Sequence, residues 1–301
     1  MDDIEWEEVD LTTQGNICAT KNDKIALIDA DTIIVGTCST CSYSEELLDR
    51  DSYPSEEWES IISEPGYDPV LNCIDGIDLD SAYTHAMDRI NQILQETGCT
   101  DFELHFTGGR QSFRYIKVSD TYKANRVDTG MKAIYGIWML KQVFLKSHPD
   151  KVFLNEEYEA DDIVVSLKRD NPDKYIMCAV DKDVLYSIPG RHFNYYSSVK
   201  YSIHMKFVEV DEITAKKHHY HQTLTGDKGD NIIGLNGIGP KKANDILEGL
   251  TEHEELWNAV VKAYDIAGRN ELDALTNMRL VSMHQLKLIN GKYEVVLWRP
   301  M

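Results

Sequence analysis

Ile25-Ala-Leu-Ile28-Asp29 and Tyr175-Ile-Met-Cys-Ala-Val180-Asp181 decide the fold class. Each is a short apolar run of the kind a strand shows when both of its faces are covered, and each is closed by an aspartate. Order is expected from Lys24, and Thr32-Ile-Ile-Val35 resumes apolar character just past Asp29. Phe102 to Phe106 alternates as a further strand. Between the strands lie helical periods. Leu79, Ala82, Tyr83, Ala86, Met87, Ile90, Ile93 and Leu94 recur at helical spacing, with Gly98 as the stop. Met131 to Lys146 is helical by pattern, and Tyr158-Glu-Ala-Asp-Asp162 opens another helix ahead of Ile163-Val-Val and Leu167. Strands alternating with helices predict an α/β layer fold, a central largely parallel sheet flanked by helices. In that class sites form outside the carboxyl ends of strands, where Asp29 and Asp181 both fall.

The chain has 301 residues, 42% of them hydrophobic, enough to bury a substantial core. No apolar stretch approaches the roughly 20 residues of a membrane helix. The first ten residues carry six acids and no base, the wrong start for a signal peptide. A cytoplasmic monomer with no membrane association is the expectation. Six cysteines are scattered through the chain, so reduced thiols are expected, and the Cys38-x-x-Cys41 pair has no second pair with which to hold zinc.

A net charge of −20 argues against a polyanionic partner until its distribution is considered. Residues 1–10 and 44–68 carry −14 of that charge. Between Arg110 and Lys146, eight Lys or Arg face only Asp120 and Asp128, and a polyanion is expected there. Residues 1–23 read as an acidic extension and 44–70, with Pro54, Pro65 and Pro69, as a solvated surface insertion. After Asp211 the pattern turns helical.

Carboxylates stand at four separated places: Asp29; Glu159, Asp161 and Asp162; Asp181 and Asp183; Asp227 and Asp230. Each alone reads as a turn or helix-start residue. Gathered in one pocket they repel one another unless cations neutralise them, and oxygen-only ligands favour hard ions such as Mg²⁺. Two such ions can clamp an in-line attack on a phosphodiester. Gly234-Leu-Asn-Gly237-Ile-Gly239-Pro-Lys241-Lys242 adds glycines just ahead of a helix beginning near Pro240. Free amides there can face a phosphate, with Lys241 and Lys242 adding charge. A tight turn between two helices would give the same glycines.

Leu27-Ile-Asp29, Tyr122-Lys-Ala-Asn-Arg126, Glu159-Ala-Asp-Asp162, Asp181-Lys-Asp183 and Gly226-Asp-Lys-Gly-Asp-Asn231 followed by Gly237-Ile-Gly239 resemble, in order and spacing, the flap-endonuclease family of 5′-nucleases. The phage 5′-to-3′ exonucleases are the nearest match, and Val296-Leu-Trp-Arg-Pro300 is similar to their close. The resemblance implies an α/β nuclease core over 24–215 with a helical arch at about 110–146, and a helical helix-turn-helix DNA-binding region over 216–301. It implies that Asp29, Glu159 and Asp161 hold a first Mg²⁺ or Mn²⁺, with Asp162 assisting, and that Asp181, Asp183, Asp227 and Asp230 serve a second. Lys123 and Arg126 would grip the scissile phosphate, Tyr122 would stack on an unpaired base, and Arg114 would contact DNA. Gly234, Gly237 and Gly239 would hold the duplex backbone, in some members through a monovalent ion such as K⁺. The implied substrate is DNA with a 5′ end or flap, with RNA in an RNA–DNA hybrid as a second.

One departure stands out. Family members usually carry an aspartate just after the strand that precedes the arch, whereas here Phe106-Thr107-Gly108-Gly109 offers no acid, leaving Glu103 or Asp75 as substitutes. A non-catalytic DNA-binding protein and a PIN-type ribonuclease share parts of this pattern. Released nucleotides distinguish the first and an RNA substrate the second. His218, His219 and His221, beside Lys216 and Lys217, predict a solvated or DNA-facing helix, and Phe113 and Trp138 read as packing residues.

Overall fold

The computed structural model describes residues 21–64, 66–69, 71–109, 112–126, 131–198 and 200–300, the side chains of 131–135 excepted. Most of the expected acidic extension, and residues 110–111 and 127–130 of the expected arch, lie outside that set.

Six strands form the central sheet, in the order Val152–Asn155, Cys99–Thr107, Asn22–Asp29, Tyr175–Ala179, Gly190–Asn194, Lys206–Val210. The first five run parallel and the last edge strand is antiparallel. Along the middle strand Ala26 and Ile28 face one apolar layer, and Leu27 faces the other with Val164, Val165 and Met177. Both faces are covered, which is why the strand reads as an unbroken apolar run. Register then sets the working edge. Asp29 pairs with His105, Ile28 with Cys178 and Thr107 with Asn155, so the ends carrying Asp29, Thr107, Asn155 and the turn into Asp181 lie side by side.

The helix Leu79–Thr97 presents Ala82, Ala86, Ile90 and Ile93 to the core and ends at Gly98, whose φ of 73° is left-handed and favours glycine. The helix Met131–Ser147 buries Leu140 and Phe144 against the same layer, so its second half belongs to the core rather than to an arch. Among the described residues of the expected arch ahead of that helix, only Phe113–Lys117 is helical, and residues 120–125 are turns.

Four helices, Glu212–Thr225, Pro240–Leu247, His253–Ile266 and Glu271–Val281, share a second core around Leu224, Leu256, Val260, Tyr264 and Met278. A short hairpin, Gly226–Asp227 with Ile232–Ile233, projects Lys228–Asn231 from it. The acidic excursion has structure of its own: strands Ser42–Glu46, Tyr67–Asp68 and Cys73–Ile77 form an antiparallel sheet, with a helix at Ser55–Ser63. Trp58 packs at 5.6 Å from Tyr53 and 6.2 Å from Tyr67, ring centre to ring centre, which gives this polar segment a small apolar anchor. Among the described residues no helix is long and apolar enough to cross a membrane.

Candidate metal centre and nucleic-acid interface

The helix Ala160–Asp170 starts at the sheet's carboxyl edge, and its first turn carries the tightest acidic group. One carboxylate oxygen each from Glu159, Asp161 and Asp162 lies within 4.8 Å of the others. Thr107 fixes that start, because its hydroxyl accepts from the Ala160 N–H at 2.9 Å. Burial raises the Asp161 carboxyl well above the usual range, and the charges of Asp162 and Glu159 raise it further. Burial pushes Glu159 the same way, but Arg114 and Lys123 override it and hold Glu159 below its ordinary value.

Asp29 ends the middle strand with its carboxyl buried and the Asp31 N–H facing it. Burial, then the neighbouring charges of Asp31 and Asp181, push its pKa up to about 7. Asp181 caps a short helical turn by accepting from the Asp183 N–H at 2.8 Å. It is raised by burial and then by Asp183, Asp227 and Asp230. Burial pushes Asp183 up, but His218, whose Nε2 lies 3.2 Å away, together with Lys182 and Gln222 holds it below the ordinary value. The hairpin brings in the remaining acids, with Asp227 accepting from the Gly229 N–H at 2.7 Å. All four separated acidic segments therefore act on one region.

The expected basic residues enter this region in unexpected ways. Arg114 was expected at DNA, yet it is fully buried. It grips Asp162 with two bonds of 2.6 and 2.7 Å, reaches Glu159 at 2.9 Å, and donates to the carbonyls of Leu280 and Ser282. Its task is neutralisation inside the protein. Tyr122 was expected to stack on a base, but it is buried in the C-terminal core, and its hydroxyl lies 3.0 Å from a carboxylate oxygen of each of Glu159 and Asp230, its one proton shared between them. Lys123 has a left-handed φ of 58°, its N–H bonds the Asp230 carbonyl at 2.9 Å, and its ammonium pairs with Glu159. Arg126 is exposed and pairs with Asp230. Glu103, a candidate for the absent acid, is paired with Tyr175 and Lys174 lower on the sheet, and Asp75 lies on the strand Cys73–Ile77 of the separate small sheet. Glu103, four residues back along the strand, is thereby held away from the Thr107 position.

Beside the acids, residues 231–240 line a concavity of about 740 Å³. Gly237 takes a left-handed φ of 74°, which favours glycine, and a Cβ on Gly234 would meet the Thr225 backbone at 2.2 Å, so Gly234 must lack a side chain. Gly239 precedes the exposed start of Pro240–Leu247. Lys241 is exposed there, and Lys242 bonds the Gly237 carbonyl at 2.9 Å. The expected solvated histidine helix is instead partly internal: His219 is buried with neither ring nitrogen hydrogen-bonded. Ala215, His219 and Thr223, four residues apart on one face of the helix, set this burial, and the adjacent lysines masked it. Phe113 is buried, whereas Trp138 is half exposed.

No family model matches the chain. It is 26% identical over 234 residues to DNA polymerase I of Bacillus caldotenax, covering 73% of this chain and 25% of that protein. It is 28% identical over 210 residues to DNA polymerase I of Borreliella burgdorferi, covering 64% of this chain and 22% of that one. The chain thus spans about a quarter or less of the length of these curated relatives. Among solved structures it superposes on bacteriophage T5 5′-exonuclease with bound zinc at a TM-score of 0.56 and 16% identity, covering 87% of this chain and 90% of that one. A T5 flap endonuclease variant, described as a pseudo-enzyme-product complex with DNA and metal ions, superposes at 0.52 and 16%, covering 67% and 81%. This chain is folded as the T5 5′-exonuclease is, with a mostly parallel sheet leading into C-terminal helices.

Proposed function

We propose that the chain is a divalent-metal-dependent 5′-nuclease that hydrolyses DNA from a 5′ end or flap, leaving 3′-hydroxyl and 5′-phosphate ends. One observation carries the reading. Asp29, Asp161 and Asp181 remain raised even though Arg114, Lys123 and Arg126 already contact their neighbours, so the acids outnumber the cations the chain supplies. Such a pocket calls for added positive charge, and its all-oxygen donors suit Mg²⁺ or Mn²⁺. Glu159, Asp161 and Asp29 would hold one ion, with Asp162 committed mainly to Arg114; Asp181, Asp183, Asp227 and Asp230 would serve a second. Bound there, such ions supply an activated water and stabilise the leaving oxygen.

The protein's own groups do the rest. Lys123 and Arg126, on the acids at the mouth, are the cations a scissile phosphate meets first. Gly234, Gly237, Gly239, Lys241 and Lys242 offer the duplex backbone free amides and charge at a helix start, and K⁺ at this loop is part of the proposal. The test is a 5′-labelled duplex and a 5′-flap DNA incubated with Mg²⁺, with EDTA as control and an RNA–DNA hybrid as a further substrate. Metal-dependent release of labelled nucleotides is expected. Binding with no cleavage in either Mg²⁺ or Mn²⁺ would reduce the protein to a DNA-binding module.

A further inference from the structure

The place after the Cys99–Thr107 strand has no acid of its own, yet a carboxylate occupies it. Asp31 Oδ2 accepts from the Thr107 N–H at 3.1 Å and Oδ1 lies 3.3 Å from the same nitrogen. The donor is the residue at which the acid is absent from the sequence. Asp31 opens the helix Asp31–Cys41, two residues beyond Asp29, and its backbone N–H faces the Asp29 carboxylate. Thr107 in turn holds the start of the Glu159–Asp162 turn through Ala160. Asp31 is therefore linked to Asp29 through its own N–H and to the Glu159–Asp162 turn through Thr107. Lys141 bonds both Asp31 Oδ1 and the Thr107 carbonyl at 2.7 Å, which orients the carboxylate. A carboxylate has about four lone-pair positions, and these bonds leave some open.

We propose that Asp31 supplies the first metal site with the carboxylate that Thr107 does not. The carboxylate reaches the end of the Cys99–Thr107 strand from the start of the helix that follows the neighbouring strand. This rests on the nuclease reading above. A helix-start acid paired with Lys141 for stability alone is the competing explanation.

Mn²⁺ titration of the full chain, followed by electron paramagnetic resonance of the free ion, separates the two without relying on cleavage. Asp31→Asn is expected to weaken the tighter Mn²⁺ site by at least on the order of 10- to 100-fold, a loss that removing even a group that only orients a metal's ligands brings. Asp31→Asn combined with Thr107→Asp is expected to recover most of that loss, and Lys141→Ala is expected to bind Mn²⁺ at least as well as the parent. Parent-like binding by Asp31→Asn would overturn the proposal. So would a Lys141→Ala variant as weak as Asp31→Asn, because Asp31 would then act only through that pair. A parent chain that binds no Mn²⁺ would overturn the nuclease reading as well.

Discussion

Arg114 and Asp162 form a two-bonded pair, at 2.6 and 2.7 Å, at a point where neither side chain meets solvent. The same guanidinium caps the carbonyls of Leu280 and Ser282, so one side chain ties the acidic turn to the end of the last helix. Removing it strands Asp162 as a buried charge and leaves Glu159 to Lys123 and Tyr122. Arg114→Ala is expected to cost about 3–5 kcal/mol of stability, the usual result of breaking one half of a buried pair. Urea denaturation measures this, and a loss below about 1 kcal/mol would show the pair to be dispensable. Arg114→Lys should recover little, since an ammonium cannot span two carboxylate oxygens and two carbonyls.

The pKa of Asp29 predicts a pH signature for metal. Folding raises it from 3.8 to about 7, so between those values the folded chain keeps a proton that the unfolded chain has lost. Stability is therefore expected to fall as pH climbs through that window, by at most about 4 kcal/mol from this group, with the penalty complete above pH 7. A divalent cation competes with that proton. Mg²⁺ should raise Tm more at about pH 8 than at about pH 5, and its affinity should weaken up to tenfold per unit below pH 7. Equal Mg²⁺ shifts at both pH values, or an unaltered shift in Asp29→Asn, would show that the ion does not meet this carboxylate.

What the sequence made legible follows from which interactions are local. Strands covered on both faces announce themselves as apolar runs, and an aspartate closing such a run lies at the sheet edge whatever surrounds it, so Asp29 and Asp181 could be placed early. Arg114 could not. It sits in a basic stretch that reads as a phosphate contact, and its burial depends on carbonyls from the other end of the chain. Tyr122 is hidden for the same reason, since its partners are Asp230 and the C-terminal core. Asp31 looks like an ordinary acid in a helix's first turn, and only the parallel register that sets Asp29 beside His105 brings it to Thr107. The excursion at 44–70 read as solvated because its apolar anchor, Trp58 with Tyr53 and Tyr67, is three aromatic residues dispersed among acids with no regular spacing.

Lys123 should separate rate from binding. Its ammonium already pairs with Glu159 and lies 3.8 Å from Asp230, within the acidic group rather than out along a duplex track. On the nuclease reading, Lys123→Ala is expected to lower kcat on the order of 10²-fold, the scale of removing one charge-stabilising donor, with little change in KM. Single-turnover cleavage of a 5′-flap substrate checks it. A fall of less than threefold, or an effect confined to KM, would remove Lys123 from the chemistry.

Gly237 and Lys241 test the duplex-binding surface apart from the acids. Nothing lies within 4 Å of a Cβ at Gly237, so Gly237→Ala meets no clash, only the left-handed φ of 74°, which costs an L residue roughly 1–2 kcal/mol. The fold should survive while the amides of the 234–239 turn shift, lowering affinity for duplex DNA in EDTA several-fold. Lys241→Ala leaves the backbone alone and removes one exposed charge at the helix start, so it should flatten the log–log salt dependence of binding by about 0.9. Fluorescence anisotropy across a salt series reads both. If neither variant changes affinity or slope, the glycine turn is a structural corner, and the duplex must be held elsewhere on the chain.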